Sequence, residues 1–371
     1  MPDPNTAASL STENSAARRD FLKGAGLAVA ASLAAGAAQA DPGALTADEK
    51  LDRLASNTYP IRWLFKRREG AGGGGRGSER YDEMKKKYGE ITLLDFPQFT
   101  KDKFPGVRHM DLWSSLFGDV TDASMYSEFT FTRGETSRTM YEFDPSPAAG
   151  KKWLDKLNDS MVKAGVRCHH VSNNAPRNIS DLDADARRAG IEIAKKWLDG
   201  CAQIGAKTMR VNTGGPRIAP AATADTGYPR NEEIEVYFKN AIESFKEIAD
   251  HGGKVGVKVT IENHWGLSAN AMNIRIILDE VNHPYCEASP DFCNWEHKYM
   301  LYHGLEALTP YAHTTVHAKY WDRWDSVDLA RCVRIFTASR FQGKFALEYE
   351  DGPWDGVEGA QRLMKDVLAA L

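Results

Sequence analysis

The chain has 371 residues, of which 42% are hydrophobic and 26% are charged, with a formal net charge of −4 and a pI near 6.2. A chain of this size can bury a large core, and its acidic balance gives no basis for binding nucleic acid or an anionic membrane. The five cysteines occur without a CxxC pair, which favours small buried hydrophobic residues over a disulfide framework.

The first segment, 1–40, has the pattern of an export signal. Arg18 and Arg19 precede an alanine-rich apolar run that ends in the small-residue sequence AQA. A charged region, a short apolar run and a small-residue cleavage site in this order indicate a secretory leader. The twin arginine makes the leader similar to a Tat signal and predicts a periplasmic or secreted protein. The run is too short and too rich in small residues for a membrane span, so no membrane association is expected.

In the remaining segment, 41–371, short β-rich runs alternate with helical patterns. The predicted strands are 51–59, 107–113, 165–173, 206–213, 257–263, 285–291, 313–319 and 344–350. The clearest predicted helices, with apolar residues at i, i+3, i+4 and i+7, are 183–205, 231–253, 270–282 and 356–371. Eight strand–helix units predict an α/β fold of the (β/α)₈ TIM-barrel type in a single domain.

Two stretches interrupt this alternation. Residues 65–94 contain GAGGGG and many charged residues, which predicts a flexible glycine-rich insertion after the first strand. The glycine run lacks the Gly-Lys-Ser/Thr of a phosphate-binding loop and does not lie between a strand and a helix. Residues 114–150 are expected to form a second excursion, over the mouth of the barrel.

Four ionisable residues fall at the ends of the last four predicted strands. They are Glu262, Asp291, His317 and Glu348, separated by 29, 26 and 31 residues, each close to one strand–helix unit. In TIM barrels the carboxyl ends of the strands meet at one face, and the alternation along each strand places these side chains inward. The pattern therefore predicts that they meet at the barrel mouth.

Three carboxylates brought together without a cation would repel one another strongly in a site of low dielectric. A divalent ion removes that repulsion. Three carboxylates and one imidazole suit Mn²⁺, Mg²⁺ or Co²⁺, whereas Zn²⁺ is less favoured by a ligand set so rich in oxygen. One divalent metal ion is therefore the predicted cofactor.

Other polar residues lie on inward positions near the same rim. His264 is two residues beyond Glu262, Lys319 is two beyond His317, and Arg210 lies near the end of the fourth strand. These three are candidate substrate-binding residues, and for His264 and Lys319 a structural hydrogen bond is an equal alternative.

The order Glu…Asp…His…Glu, carried by the motifs IENH, PDF, VHAK and LEYE, resembles the xylose isomerase-like TIM barrels. That superfamily contains sugar isomerases and epimerases and, more distantly, AP endonucleases of the endonuclease IV type. The resemblance covers essentially all of 41–371. It implies that Glu262 and Glu348 bind the metal and act as the acid and base, with Asp291 and His317 as ligands only.

The resemblance also bears on two substrate-binding candidates. Related epimerases place an arginine shortly after the ligand histidine, which Arg323 matches. They often have a histidine three residues after the ligand aspartate, where this chain has Asn294. At that position the substrate contacts depart from the pattern of the family.

The predicted chemistry is removal of a proton next to a sugar carbonyl through an enediolate, with epimerisation or isomerisation as the outcome. Loss of a β-positioned leaving group from the same intermediate would make the protein a keto-sugar or keto-glycoside lyase. Export favours a small neutral or oxidised sugar, or a glycoside, over a sugar phosphate. Two other classes are alternatives: a metal phosphoesterase, whose chemistry requires several zinc ions and a basic groove, and a non-catalytic carbohydrate-binding or partner subunit. Homo-oligomerisation and an oxidoreductase partner stay open.

Overall fold

The computed structural model describes residues 45–66, 78–133, 136–176, 179–215, 232–323 and 327–371. Leu45–Leu371 form one compact unit. The predicted export signal, 1–40, lies outside the described residues. Within the described ranges, no helix is both long and apolar enough to cross a membrane.

Eight of the ten strands in the described chain form one curled parallel sheet, and the other two form an antiparallel hairpin. The strands are β1 (Leu54–Asn57), β2 (His109–Trp113), β3 (Tyr126–Arg133), β4 (Thr136–Phe143), β5 (Arg167–Ser172), β6 (Thr208–Arg210), β7 (Lys258–Ile261), β8 (Cys286–Ala288), β9 (Thr315–Trp321) and β10 (Lys344–Asp351). The hairpin is β3–β4, and the order in the sheet is β8-β7-β6-β5-β2-β1-β10-β9. A parallel bridge between Asp291 and His317 joins its two edge strands. The ring is therefore closed, and the predicted (β/α)₈ barrel is confirmed.

The helices of the described chain surround this sheet. They are α1 (Ala47–Asp52), α2 (Ser78–Tyr88), α3 (Phe96–Lys103), α4 (Ala148–Ala164), α5 (Ala184–Gln203), α6 (Glu232–Val255), α7 (Ala271–Val281), α8 (Met300–Leu308), α9 (Leu329–Ala338) and α10 (Gly356–Ala370). The four clearest predicted helices correspond to α5, α6, α7 and α10. Three of them start at a side-chain cap, because Asp183, Asn270 and Asp355 accept hydrogen bonds from first-turn N–H groups.

Several strands are shorter than the sequence predicts. The run 51–59 begins in α1, and only Leu54–Asn57 are extended. The run 285–291 contains a strand of only three residues, Cys286–Ala288. Asp291 therefore lies beyond β8, in the bridge that closes the barrel. A proline at 290, which has no N–H to donate to a ladder, accounts for the early end of β8.

The predicted flexible insertion, 65–94, is in part regular structure. Residues 67–77, which include the glycine run, lie outside the described residues. Ser78–Tyr88 form α2, and Phe65 pairs with Ile91 in a parallel bridge. Met84 is 5% exposed and is part of the core. The description as a flexible insertion is therefore wrong for 78–94, because apolar side chains there are buried against the barrel.

The predicted excursion over 114–150 contains the β3–β4 hairpin. Its last residue, Phe143, is buried and packs against Trp153 of α4, with ring centroids 5.4 Å apart. The same ring lies 5.7 Å from that of Trp197 on α5. The base of the hairpin is thus anchored on the helical layer of the barrel.

Candidate metal centre and substrate site

The ends of β7 to β10 bring the four predicted ligands to one face of the barrel. Glu262 follows β7, Asp291 lies in the closing bridge, His317 is in β9 and Glu348 is in β10. All four are buried, with exposed fractions between 0% and 8%. One ligand atom from each of Glu262, Asp291 and His317 lies within 4.8 Å of the other two. Glu348 stands outside this tight group and joins it through Lys319.

Asn263 holds Asp291 in place. Its Oδ1 accepts a hydrogen bond of 2.7 Å from the backbone N–H of Asp291, and its Nδ2 donates 2.9 Å to the backbone oxygen of Asp291. The side chain thus supplies the ladder contacts that β8 stops short of making. Asp291 Oδ1 accepts from the N–H groups of Cys293 and Asn294 at 2.7 and 2.9 Å. These bonds hold Oδ1, and Oδ2 lies 3.2 Å from Lys319 Nζ.

Asp111, in the middle of β2, fixes the imidazole of His317. Its Oδ2 lies 3.0 Å from His317 Nε2, an acceptor that suits a proton on Nε2 and leaves Nδ1 as the nitrogen for a metal. Burial would lower the pKa of His317, but Glu262 and Asp111 raise it to about 10, so a metal bound to Nδ1 would replace a proton there. Asp111 is fully buried and also accepts from Ser172 and Asn57. A carboxylate behind a histidine is the usual support of a metal-binding imidazole. Sequence reasoning missed Asp111, although a lone acid inside the apolar run HMDLW was an available signal.

Two cations neutralise part of the acidic charge. Arg210 donates a hydrogen bond from Nη1 to Glu262 Oε2 at 2.6 Å. This arginine is therefore one positively charged partner of Glu262. Burial would raise the pKa of Glu262, but Arg210 and His317 together hold it below its usual value. Lys319 Nζ lies 3.2 Å from Asp291 Oδ2 and 2.9 Å from Glu348 Oε1.

The donor set fits a divalent ion. Asp291 Oδ2 and His317 Nδ1 are buried, and neither has a hydrogen-bond partner among the described residues. Both belong to the group of three that could hold a metal. Burial raises the pKa of Asp291 to about 7, although the Lys319 ammonium opposes the shift, so the carboxylate lacks sufficient positive charge around it. Glu262 can still contribute, because each carboxylate oxygen has two lone-pair positions and Arg210 occupies one.

Above these residues lies a cavity of about 250 Å³, which we call the mouth. Four of the predicted substrate-binding residues line it: Arg210, His264, Asn294 and Lys319. Trp113 and Trp321, two of the tryptophans that the sequence offers for stacking on a sugar, also line it. Sequence reasoning missed five further lining residues: Asn57, Tyr59, Ser172, Asn174 and Glu350. No described residue of 114–150 lines the mouth, so the predicted excursion over it is not seen in the described chain.

The family model of the xylose isomerase-like TIM barrel matches residues 130–369, more than half of the chain. The chain belongs to this family. The matched segment begins in β3 and includes all four predicted ligands. A comparison of the sequence with curated proteins finds no match.

Several solved structures share the fold of this chain at low sequence identity. An L-ribulose 3-epimerase is 11% identical with a TM-score of 0.57, over 86% of this chain and 95% of that one. A D-allulose 3-epimerase from Methylomonas sp. is 13% identical with a TM-score of 0.54, over 86% and 99%. A xylose isomerase-like protein from Mycobacterium smegmatis, in complex with magnesium, is 14% identical with a TM-score of 0.51, over 86% and 97%.

Of the two substrate-binding candidates that the family resemblance implies, the structure places Asn294 in the mouth and Arg323 outside it. Asn294 lies inside the site, where Nδ2 donates to Glu262 Oε1 at 3.0 Å and Oδ1 accepts from Lys319 at 3.1 Å. Arg323 is exposed and lines a neighbouring cleft, with its guanidinium 4.6 Å from the ring centroid of Trp321. The structure therefore does not place Arg323 in the mouth, because it follows the end of β9 in a turn that faces solvent.

Proposed function

We propose that this member of the xylose isomerase-like family is a divalent-metal-dependent sugar epimerase or isomerase. The observation that carries the proposal is the cluster of Glu262, Asp291 and His317, in which two buried ligand atoms, Asp291 Oδ2 and His317 Nδ1, make no hydrogen bond with the described residues. Glu348 completes the set from β10. An ion held by these residues would supply Lewis-acid polarisation of a sugar carbonyl and would offset negative charge that develops next to it. Mn²⁺, Mg²⁺ and Co²⁺ suit this oxygen-rich set better than Zn²⁺.

The two glutamates are the proposed acid and base. They stand at opposite ends of one hydrogen-bonded chain, in which Asn294 links Glu262 to Lys319 and Lys319 contacts Glu348. In our proposal one carboxylate takes the proton from the carbon next to the carbonyl, and the other returns a proton from the opposite face. Arg210 and Asn294 hold Glu262 still, which keeps the carboxylate oriented toward a bound sugar.

The named solved relatives support the same class of reaction. The L-ribulose and D-allulose 3-epimerases share the fold of this chain, and the Mycobacterium smegmatis protein carries magnesium. The substrate class proposed on this basis is a small sugar with a carbonyl group. We also propose Tat-dependent export to the periplasm from the sequence of 1–40.

Elimination is the second candidate, and Lys319 favours it. Its ammonium lines the mouth and lies 2.9 Å from Glu348. A cationic N–H donor beside a catalytic carboxylate can protonate a departing oxygen after the proton next to the carbonyl has left. The same site would then act as a keto-sugar or keto-glycoside lyase.

Hydrogen exchange tests the proposal directly. Candidate ketohexoses and 3-keto sugars are incubated in D₂O with Mn²⁺-loaded protein, and NMR follows loss of the C–H signal, epimerisation and elimination together. Glu348→Gln should lower the exchange rate by about 100-fold or more, with an unchanged circular dichroism spectrum. Glu280→Gln, the same change on the exposed face of α7, should leave the rate unaltered. Exchange at the full rate in Glu348→Gln would remove that residue from the proton transfer.

A further inference from the structure

A second cavity, of about 350 Å³, lies beside the mouth. We call it the side cavity. Its apolar lining includes Trp63, Met84 and Trp354, and its polar lining includes Glu83 and Lys87. Met84, Glu83 and Lys87 come from α2, a helix outside the eight strand–helix units. Nothing in the proposed proton transfer uses this cavity.

The two cavities share a wall. Glu350 lines both of them. Its Oε2 lies 3.3 Å from Lys319 Nζ on the side of the mouth, and its Oε1 accepts from the hydroxyl of Tyr59 at 3.2 Å. Tyr59 lines the mouth, and the next residue, Pro60, lines the side cavity. A ligand in the mouth that carries a substituent beside Glu350 therefore has the side cavity next to it.

The lining of the side cavity suits a ring. Indole faces pack against aryl groups and sugar rings, while charged groups at the edge bond hydroxyls. Lys87 is held in place by Asp355 and Glu358, each at 2.7 Å, so its ammonium is an ordered donor. The mouth alone is smaller than the ~300–1,000 Å³ of most small-molecule sites, and the two cavities together fall within that range.

We propose that the side cavity binds the aglycone or second ring of a glycoside whose oxidised sugar occupies the mouth. The inference rests on the proposed function, since that chemistry needs a carbonyl. A glycoside has its anomeric carbon blocked, so the carbonyl must be a ketone on the sugar ring itself. The substrate class is therefore a keto-glycoside, rather than a free ketose.

Two probes with the same reacting sugar test the side cavity: methyl 3-keto-β-D-glucoside and phenyl 3-keto-β-D-glucoside. Calorimetry with the Mn²⁺-loaded protein should give a dissociation constant at least tenfold lower for the phenyl compound. Glu83→Trp, which places an indole in the side cavity from an exposed position of α2, should abolish that difference. Asp82→Trp, the matched change at the neighbouring exposed residue that does not line the cavity, should keep it.

The outcomes separate the inference from the proposed function. Equal affinities for the two probes, or a phenyl preference that survives Glu83→Trp, would overturn the subsite. Exchange with free ketohexoses while neither glycoside binds would also overturn it and leave the epimerase proposal standing. A phenyl preference lost in Glu83→Trp, with no exchange of any substrate proton, would support the subsite and reject the proposed reaction.

Discussion

Replacing Asp111 with asparagine should weaken metal binding through the tautomer of His317. Asp111 Oδ1 accepts from the backbone N–H of Ser172 at 3.2 Å, while Oδ2 faces His317 Nε2 at 3.0 Å and Asn57 Nδ2 at 2.8 Å. A backbone N–H needs an acceptor, so the asparagine oxygen takes the Oδ1 position and its NH₂ group the Oδ2 position. The amide then donates toward Nε2.

His317 can accept that bond only if its proton moves to Nδ1, the nitrogen that faces Glu262. The lone pair needed by a metal is then lost. Loss of the carboxylate behind a ligand histidine typically lowers metal affinity by about 10–100-fold, which corresponds to about 1.4–2.8 kcal/mol. The variant should also unfold more easily, because Asn57 then faces a second donor.

The dissociation constant of Mn²⁺ is measured by titration calorimetry on wild-type protein and on Asp111→Asn. ¹⁵N NMR of His317 then shows which ring nitrogen carries the proton. Asp159→Asn, the same change on the exposed face of α4, is the control and should bind as the wild type does. A folded Asp111→Asn protein that binds Mn²⁺ within twofold of wild type, with the proton still on Nε2, would refute this reasoning.

Three further changes should have effects of known direction. Asn263→Ala removes both bonds to the backbone of Asp291 and should cost about 2–4 kcal/mol of unfolding free energy and weaken Mn²⁺ binding, measured by denaturation and titration. Burial would raise the pKa of the Asp52 carboxyl, but the Lys344 ammonium, 2.7 Å away, outweighs burial and lowers that pKa. Its stabilisation is present above the unfolded pKa of about 3.9 and is lost as the pH falls toward the folded value. Asp52→Asn should therefore lower the melting temperature at pH 7 by a small amount and lose that effect in strong acid. Gly266 has φ of +70°, and a Cβ there would collide with a backbone carbonyl of the loop after β6, so Gly266→Ala should cost more than ~1 kcal/mol in a urea titration.

The barrel and the burial of the four candidate ligands at one face could be predicted because both follow from simple periods. Strand–helix units repeat at 26 to 31 residues between Glu262, Asp291, His317 and Glu348, and the two-residue alternation of a strand decides which side chains point inward. Neither prediction requires knowledge of the contacts between side chains that are distant in sequence. The lengths of the strands were less predictable, because β8 ends where Pro290 interrupts the ladder and Asn263 takes over its bonds.

The supporting residues could not be predicted because they act across large sequence separations. Asp111 meets His317 across the barrel, 206 positions away. Arg210 was predicted to contact the substrate, yet its guanidinium donates a hydrogen bond to Glu262. The side cavity depends on α2, whose helix follows a glycine-rich segment with the composition of a linker.

Charge balance predicts how the barrel responds to loss of the metal. Five carboxylates lie in the site, those of Asp111, Glu262, Asp291, Glu348 and Glu350, and the described residues that contact them supply three permanent cations, Arg62, Arg210 and Lys319. A divalent ion would offset the two negative charges that remain. Because the three protein cations already neutralise part of the acidic charge, the metal-free protein should stay folded.

Chelation should therefore lower stability only by the binding term, about 2.7 kcal/mol where free metal had been at 100 times its dissociation constant. Melting curves with Mn²⁺ and with EDTA measure this term, and Glu280→Gln provides a control with an intact site. If EDTA unfolds the wild-type barrel at 25 °C, the protein cations do not balance the site, and the metal is then an integral part of the fold.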